Sequence, residues 1–210
     1  VESPLHEIAP DGVEVIETLR FTPDAGFARL ALHVDRCEVT CKALAFPFDR
    51  GAVLQSLGEA VTDRPARVRM TVDATGQITV GAFDLAETPR VWRVAVRAER
   101  LRSDDPWLRV KTTKRALYDR VRAELPDGVD EMLFLNERGE LCEGTITNIF
   151  AVRGDKMLTP PLTSGLLPGC LRQELLDKGK AVEQVLKLED LSGGFYMGNS
   201  LRGAIKAVLV

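Results

Sequence analysis

Residues 107–176 constrain this chain most, because strand and helix signals there follow one another with only tight turns between them. Residues 130–135 read as a strand, and Asn136-Glu137-Arg138-Gly139 is a hairpin turn. Residues 145–152 and 157–159 are further strands. The turn Gly165-Leu166-Leu167-Pro168-Gly169 then leads into a helix over 169–178. On the other side of the hairpin, Leu117, Val121 and Leu125 line one face of a helix over 113–125, a run that Lys111 opens.

The preceding half has a different rhythm. Residues 1–12 carry Pro4, Pro10 and Gly12 and form an irregular lead-in, and 13–21 alternate as a strand. From 27 to 45 the apolar positions Phe27, Leu30, Val34, Cys37, Cys41 and Leu44 recur at three- and four-residue steps, which defines an amphipathic helix. Arg29, His33, Arg36 and Thr40 form its opposite stripe. A second helix covers 49–61, residues 67–72 and 78–83 flank the hairpin signal Ala74-Thr75-Gly76, and 91–96 is another strand. The dense turn Ser103-Asp104-Asp105-Pro106 is the best domain boundary, which gives a smaller domain over 1–103 and a larger one over 104–210. The last strands, within 195–210, are separated by Gly198-Asn199-Ser200. Strands and helices mix without regular alternation, so the fold class is α+β rather than a doubly wound sheet.

Composition narrows the function. A net charge of −3 without a dense basic block argues against nucleic acid or an acidic membrane as partner. No apolar run approaches a membrane span and no signal-peptide pattern opens the sequence, so a cytoplasmic protein is expected. Cys37, Cys41, Cys142 and Cys170 include no C-x-x-C pair, which argues against zinc and a disulfide framework; no metal is expected.

Three features carry chemistry. Lysine is the side chain that condenses with an aldehyde and then serves as a base, provided neighbours or burial lower its pKa. The flank Val110-Lys111-Thr112-Thr113 is less polar than that of an ordinary surface lysine. Glu143, in Cys142-Glu143-Gly144-Thr145, is a carboxylate able to keep a pyridine nitrogen protonated, with a glycine beside it where a flat ring could approach. The N–H groups of Cys170 and Leu171, after Leu167-Pro168-Gly169, suit a phosphate, with Asn199 closing the cradle and Arg36 supplying charge. Each alone has an ordinary alternative: a solvated lysine, a strand-end carboxylate, a loop that merely starts a helix. Together they are the handles for a phosphorylated pyridine aldehyde.

The run DEMLFLNERGELCEGTITNIFAV followed by LTPPLTSGLLPGCLRQELL resembles the signature of the class IV aminotransferases, a pyridoxal-phosphate family. The match extends upstream through KTTKRALYD to IETLRF and FARLALHVDR, and downstream to YMGNSLRG. That family includes branched-chain and D-amino-acid aminotransferases and 4-amino-4-deoxychorismate lyases. The resemblance implies the fold-type IV architecture: a small N-terminal α/β domain, a larger barrel-like C-terminal domain, pyridoxal 5′-phosphate between them, and a homodimer. It implies that Lys111 holds the cofactor covalently and moves the proton, and that Glu143 faces the pyridine nitrogen. Arg36, in His-x-x-Arg, would meet the phosphate, with the backbone of Cys170 and Leu171 and the turn at Asn199. Family aminotransferases often carry a hydroxyl residue where Leu171 stands and threonine where Asn199 stands.

Within the family, Glu17-Thr18-Leu19-Arg20 has threonine where aminotransferases tend to have glycine, which is similar to the lyases. The tyrosine that branched-chain aminotransferases keep five residues after the lysine is Ala116 here, and Tyr118 follows two residues later. The resemblance therefore implies a lyase acting on a small-molecule substrate and releasing pyruvate and 4-aminobenzoate, with Thr18 guiding the departing enolpyruvyl group. An aminotransferase, or a non-catalytic relative, are the alternatives.

Overall fold

The structure, a computed structural model, describes residues 5–210; the first four residues of the lead-in lie outside the described residues. It divides into two compact units, one running up to Glu87 and including Val110–Lys114, the other comprising Thr88–Arg109 and Arg115–Val210. The turn at residues 103–106 lies inside the second unit, and the short segment carrying Lys111 belongs to the first.

In the first unit the elements are β1 (Val15–Thr22), β2 (Gly26–Phe27), α1 (Leu30–Ala43), α2 (Arg50–Glu59), β3 (Ala66–Val72) and β4 (Ile78–Asp84). The strands form an antiparallel sheet in the order β2-β1-β3-β4. Alternation along β1 and β3 sends Val15, Leu19, Phe21, Val68 and Met70 to one buried face. Val34, Cys37 and Cys41 of α1, with Val53 and Leu57 of α2, are buried as well. Asp49 caps α2 by accepting from the Ala52 N–H.

The second unit contains β5 (Val91–Leu101), α3 (Ala116–Ala123), β6 (Glu131–Asn136), β7 (Leu141–Gly144), β8 (Asn148–Arg153), β9 (Lys156–Thr159), α4 (Cys170–Asp177), β10 (Ala181–Glu183), β11 (Phe195–Asn199) and β12 (Gly203–Leu209). Its strand order is β10-β9-β8-β11-β12-β5-β6-β7, and β7 also pairs with β8. Six strands therefore close on themselves as a barrel, with β9 and β10 extending from β8. Val94, Leu133, Leu135, Ile149, Met197 and Ile205 share the principal core cluster. The alternate residues are buried too: Phe134 packs with Val121 and Tyr118, and Phe150 with Leu171 and Leu175. Covered on both faces, these strands read as continuous apolar runs. A phenylalanine as fully buried as these stabilises the fold by about 2–3 kcal/mol relative to exposure.

Several elements differ from the sequence reading. Strand β5 continues to Leu101 because its pairing with β6 resumes past an irregularity between Val96 and Arg100. Lys111 does not open a helix. Residues 111–113 bond to the edge of β1 instead, and α3 starts at Ala116. The strand expected over 145–152 begins at Asn148, since 145–147 form a turn held by a buried carboxylate.

Candidate active site

In the first unit, Glu17 lies on the buried face of β1 and is 0% exposed. His33 and Arg36, three residues apart on α1, both reach it. His33 Nδ1 is 2.6 Å from Glu17 Oε2, and Arg36 donates from Nε to Oε1 at 2.9 Å and from Nη2 to Oε2 at 2.6 Å. Burial alone would raise the Glu17 pKa. The Arg36 charge and hydrogen bonds, then those of His33, outweigh it and hold the carboxyl at about 2. Burial pushes the His33 pKa down, against the pull of Glu17. The polar stripe of α1 is thus partly an inward one, with His33 and Thr40 buried. Arg36, expected at a phosphate, has two of its five donors fixed by Glu17, which sets the plane of the guanidinium.

Lys111 is half-buried. Its carbonyl accepts from the Ile16 N–H at 3.0 Å, and Val15 bridges Thr112 in antiparallel register. Lys111 therefore lies opposite Ile16. The pleat assigns it to the strand face that carries Ile16 and Thr18, opposite the face that carries Glu17.

Glu143, on β7 of the second unit, is buried. The Tyr118 hydroxyl donates to its Oε1 at 2.6 Å and the Leu167 N–H to its Oε2 at 3.0 Å. Burial and the Glu143 charge push the Tyr118 pKa up, so the phenol remains a donor. Sequence reasoning noted Tyr118 only as a displaced tyrosine. Its place three residues before the buried Val121, on the apolar side of α3, is the signal that it points inward.

The turn after Glu143 rests on Glu131, which is fully buried. Its carboxylate accepts from the N–H groups of Met132, Thr145 and Ile146 and from the hydroxyls of Thr145 and Thr147, with Arg122 3.6 Å away. This explains Gly144. A Cβ there would lie 2.8 Å from Glu131 Cδ and 2.5 Å from Thr147 Oγ1, so the space foreseen for an approaching ring is filled by protein.

The start of α4 has a comparable restraint. Asn148 donates from Nδ2 to the Leu167 carbonyl, and a Cβ on Gly169 would fall 1.9 Å from Asn148 Oδ1. Cys170 is the first residue of the helix and Leu171 the second, where no intrahelical carbonyl can accept the Leu171 N–H. The Leu171 side chain packs in the core beside Phe150 and against Gly198. Its contribution to an anion is therefore confined to the backbone. Asn199 uses its side chain on the protein: Nδ2 donates to the Ile146 carbonyl, and Oδ1 accepts from Leu201 and Arg202. It shapes the turn and ties it to the segment beside Glu143.

The second unit thus brings Tyr118, Glu143, Leu171 and Asn199 into one framework, and the first holds Thr18 and Lys111 on one strand face with Arg36 braced behind. Each unit by itself carries groups of the chemistry that pyridoxal phosphate requires: a buried carboxylate pinned by two donors and a helix start in the second, a half-buried lysine in the first.

A small antiparallel sheet unit and a six-stranded barrel unit, with lysine and buried carboxylate in this order along the chain, define a fold-type IV pyridoxal-phosphate enzyme. The chain belongs to the amino-transferase class IV family, whose sequence profile matches residues 14–210. It is 29% identical over 194 residues to a Schizosaccharomyces pombe protein provisionally named an aminodeoxychorismate lyase, covering 86% of this chain and 84% of that one. A Mesorhizobium loti crystal structure, provisionally described as an amino-acid aminotransferase, is 39% identical with a TM-score of 0.89, covering 94% of this chain and 100% of that one. The 4-amino-4-deoxychorismate lyase of Pseudomonas aeruginosa shares the fold at 20% identity and a TM-score of 0.79, over 93% of this chain and 82% of that one. No helix among the described residues is long and apolar enough to cross a membrane.

Proposed function

We propose that this protein is an aminodeoxychorismate lyase, releasing pyruvate and the folate precursor 4-aminobenzoate. Thr18 carries the reading. It follows Ile16 on the β1 face to which the register assigns Lys111, where a hydroxyl can hold an oxygen next to the carbon that loses its proton. Bound pyridoxal phosphate supplies an electron sink for the carbanion. Lys111 Nζ takes the proton from the amine-bearing carbon of the substrate and Thr18 steadies the enolpyruvyl oxygen as its bond to the ring breaks. Glu143, kept in place by Tyr118 and Leu167, faces the pyridine nitrogen; Arg36, the backbone at Cys170 and Leu171, and the turn at Asn199 serve the phosphate. The same reading takes the chain as a cytoplasmic homodimer that needs no metal.

The likeness to the Mesorhizobium loti protein favours a second reading, an aminotransferase with the same lysine and carboxylate. Incubation with aminodeoxychorismate separates them. Pyruvate release without a 2-oxo acid supports the lyase; amino transfer to a 2-oxo acid with no pyruvate release refutes it. A visible absorption band should appear when pyridoxal phosphate is added and be missing in Lys111→Ala. An identical response from both proteins would remove Lys111 from the site.

A further inference from the structure

Arg172, the third residue of α4, is a charge that fold stability does not explain, since only 2% of it is exposed. The Cα–Cβ bonds of a helix tilt towards its N-terminus, which sets this guanidinium alongside the first turn. A cation there opposes the helix dipole, and no acidic residue in that turn offsets it. Its Nε is buried without a hydrogen-bond partner among the described residues, a further cost. Its counter-ion, Glu183 at the end of β10, is 47% exposed, so water screens the carboxylate while the guanidinium stays dry. An apolar side chain of similar volume would serve the fold as well, because the half-exposed Glu183 can be left to solvent.

What Arg172 does form is a latch. Its Nη2 donates to the Pro160 carbonyl at 2.7 Å, twelve residues back in the chain, and to Glu183. Pro160 directly follows β9, and Glu183 is the register partner of Thr159 on that strand. The segment closed in this way carries the Leu167 N–H that holds Glu143 and the N–H groups of Cys170 and Leu171. One buried side chain thus ties down the groups that serve the ring nitrogen and the phosphate in the proposed site. We propose that Arg172 is a positioning residue for the cofactor phosphate: it fixes the start of α4 to the end of β9 and adds positive field to that helix start. The inference rests on the reading that α4 receives the phosphate of pyridoxal phosphate.

Pyridoxal, which has the ring and aldehyde of the cofactor but no phosphate, separates this role from general support of the fold. Titrating the full-length, cofactor-stripped protein with each compound and following the visible absorption band gives the two affinities. Arg172→Met should bind pyridoxal phosphate roughly tenfold more weakly and pyridoxal as well as the wild type does. Arg172→Lys retains the charge and should recover part of the loss. Glu183→Gln removes the negative charge paired with the guanidinium, so it should bind pyridoxal phosphate as tightly as the wild type or more tightly. Unaltered affinity for pyridoxal phosphate in Arg172→Met overturns the proposal, and so does equal weakening towards both compounds. Should Arg172→Met fail to fold, the other two variants decide: equal loss of pyridoxal phosphate binding in Arg172→Lys and Glu183→Gln would mark a merely structural ion pair and overturn it. A wild-type protein that binds both compounds equally has no phosphate site, and the reading beneath the proposal falls with it. A preference for the phosphate that survives Arg172→Met keeps that reading and removes Arg172 from it.

Discussion

The Tyr118 hydroxyl donates a 2.6 Å hydrogen bond to Glu143 Oε1, while the opposite carboxylate oxygen accepts from the Leu167 backbone. The ring of Tyr118 is itself steadied edge-on against Phe134, with centroids 5.4 Å apart. The carboxylate proposed to face the cofactor nitrogen is therefore oriented by a side chain from α3 and a main-chain group from the turn before α4.

Replacing Tyr118 by phenylalanine keeps the ring packing and removes only the donor. A hydrogen bond to a charged group is worth about 1.5–3 kcal/mol. We expect affinity for pyridoxal phosphate to fall roughly tenfold, the lower end of that range, and the pH titration of the bound cofactor's absorption to shift. Fluorescence titration of the cofactor checks the first effect. Unchanged affinity together with an unchanged titration would show that Tyr118 does not act on the site.

Glu17 links stability to acid. Its folded pKa of about 2 lies below the ordinary 4.5, so its stabilisation is complete above pH 4.5 and lost as the pH falls towards 2. Glu17→Gln should cost about 3 kcal/mol at neutral pH, because it leaves the buried His33 and the partly buried Arg36 without their anion. The difference between variant and wild type should shrink at pH 3. Urea unfolding at the two pH values measures both, and a difference that stays constant would contradict the assignment.

Gly169→Ala should destabilise the protein by about 2 kcal/mol, because the new methyl group collides with Asn148. In an Asn148→Ala background the collision disappears, so the two substitutions should be strongly non-additive. Thermal melts of the four proteins in this cycle give the coupling. Simple additivity would mean that the helix start tolerates the methyl group in some other way.

Glu131→Gln keeps the shape but replaces one acceptor oxygen with a donor facing the hydroxyls and N–H groups of 145–147. A cost of about 3 kcal/mol is expected for the broken buried network. Amide hydrogen exchange should accelerate in residues 144–147 before the barrel core. Exchange that rises uniformly over the second unit would argue against a local role for Glu131.

Much of the fold was legible because local signals and tertiary demands agreed. The hairpin at Asn136–Gly139, the β3–β4 pair around Gly76 and the start of α4 after Pro168 were all marked by turn chemistry. Lys111 was misread because the helical spacing of Leu117 and Val121 was extended backwards across residues that hydrogen-bond to β1, and a partner nearly a hundred residues away leaves no local trace. Alternation along β1 does mark Glu17, which shares its parity with Val15, Leu19 and Phe21. A carboxylate in that position requires cations, and His33 and Arg36 stand one turn apart to supply them. Glu131 gave a weaker sign. It is the acidic lead residue of an apolar run, which ordinarily marks a solvent-facing strand end.

The five residues Val110–Lys114 return to the first unit after the chain has already contributed β5 to the second. The order of synthesis follows from this. A nascent chain that has emerged only as far as Glu87 holds all four strands of the first sheet, yet the edge of β1 at Val15 and Ile16 still waits for Lys111 and Thr112. Covering that edge and delivering the lysine are one event. A gene cut at residue 87 would therefore encode a sheet with an open seam and a barrel fragment carrying the lysine away from its strand.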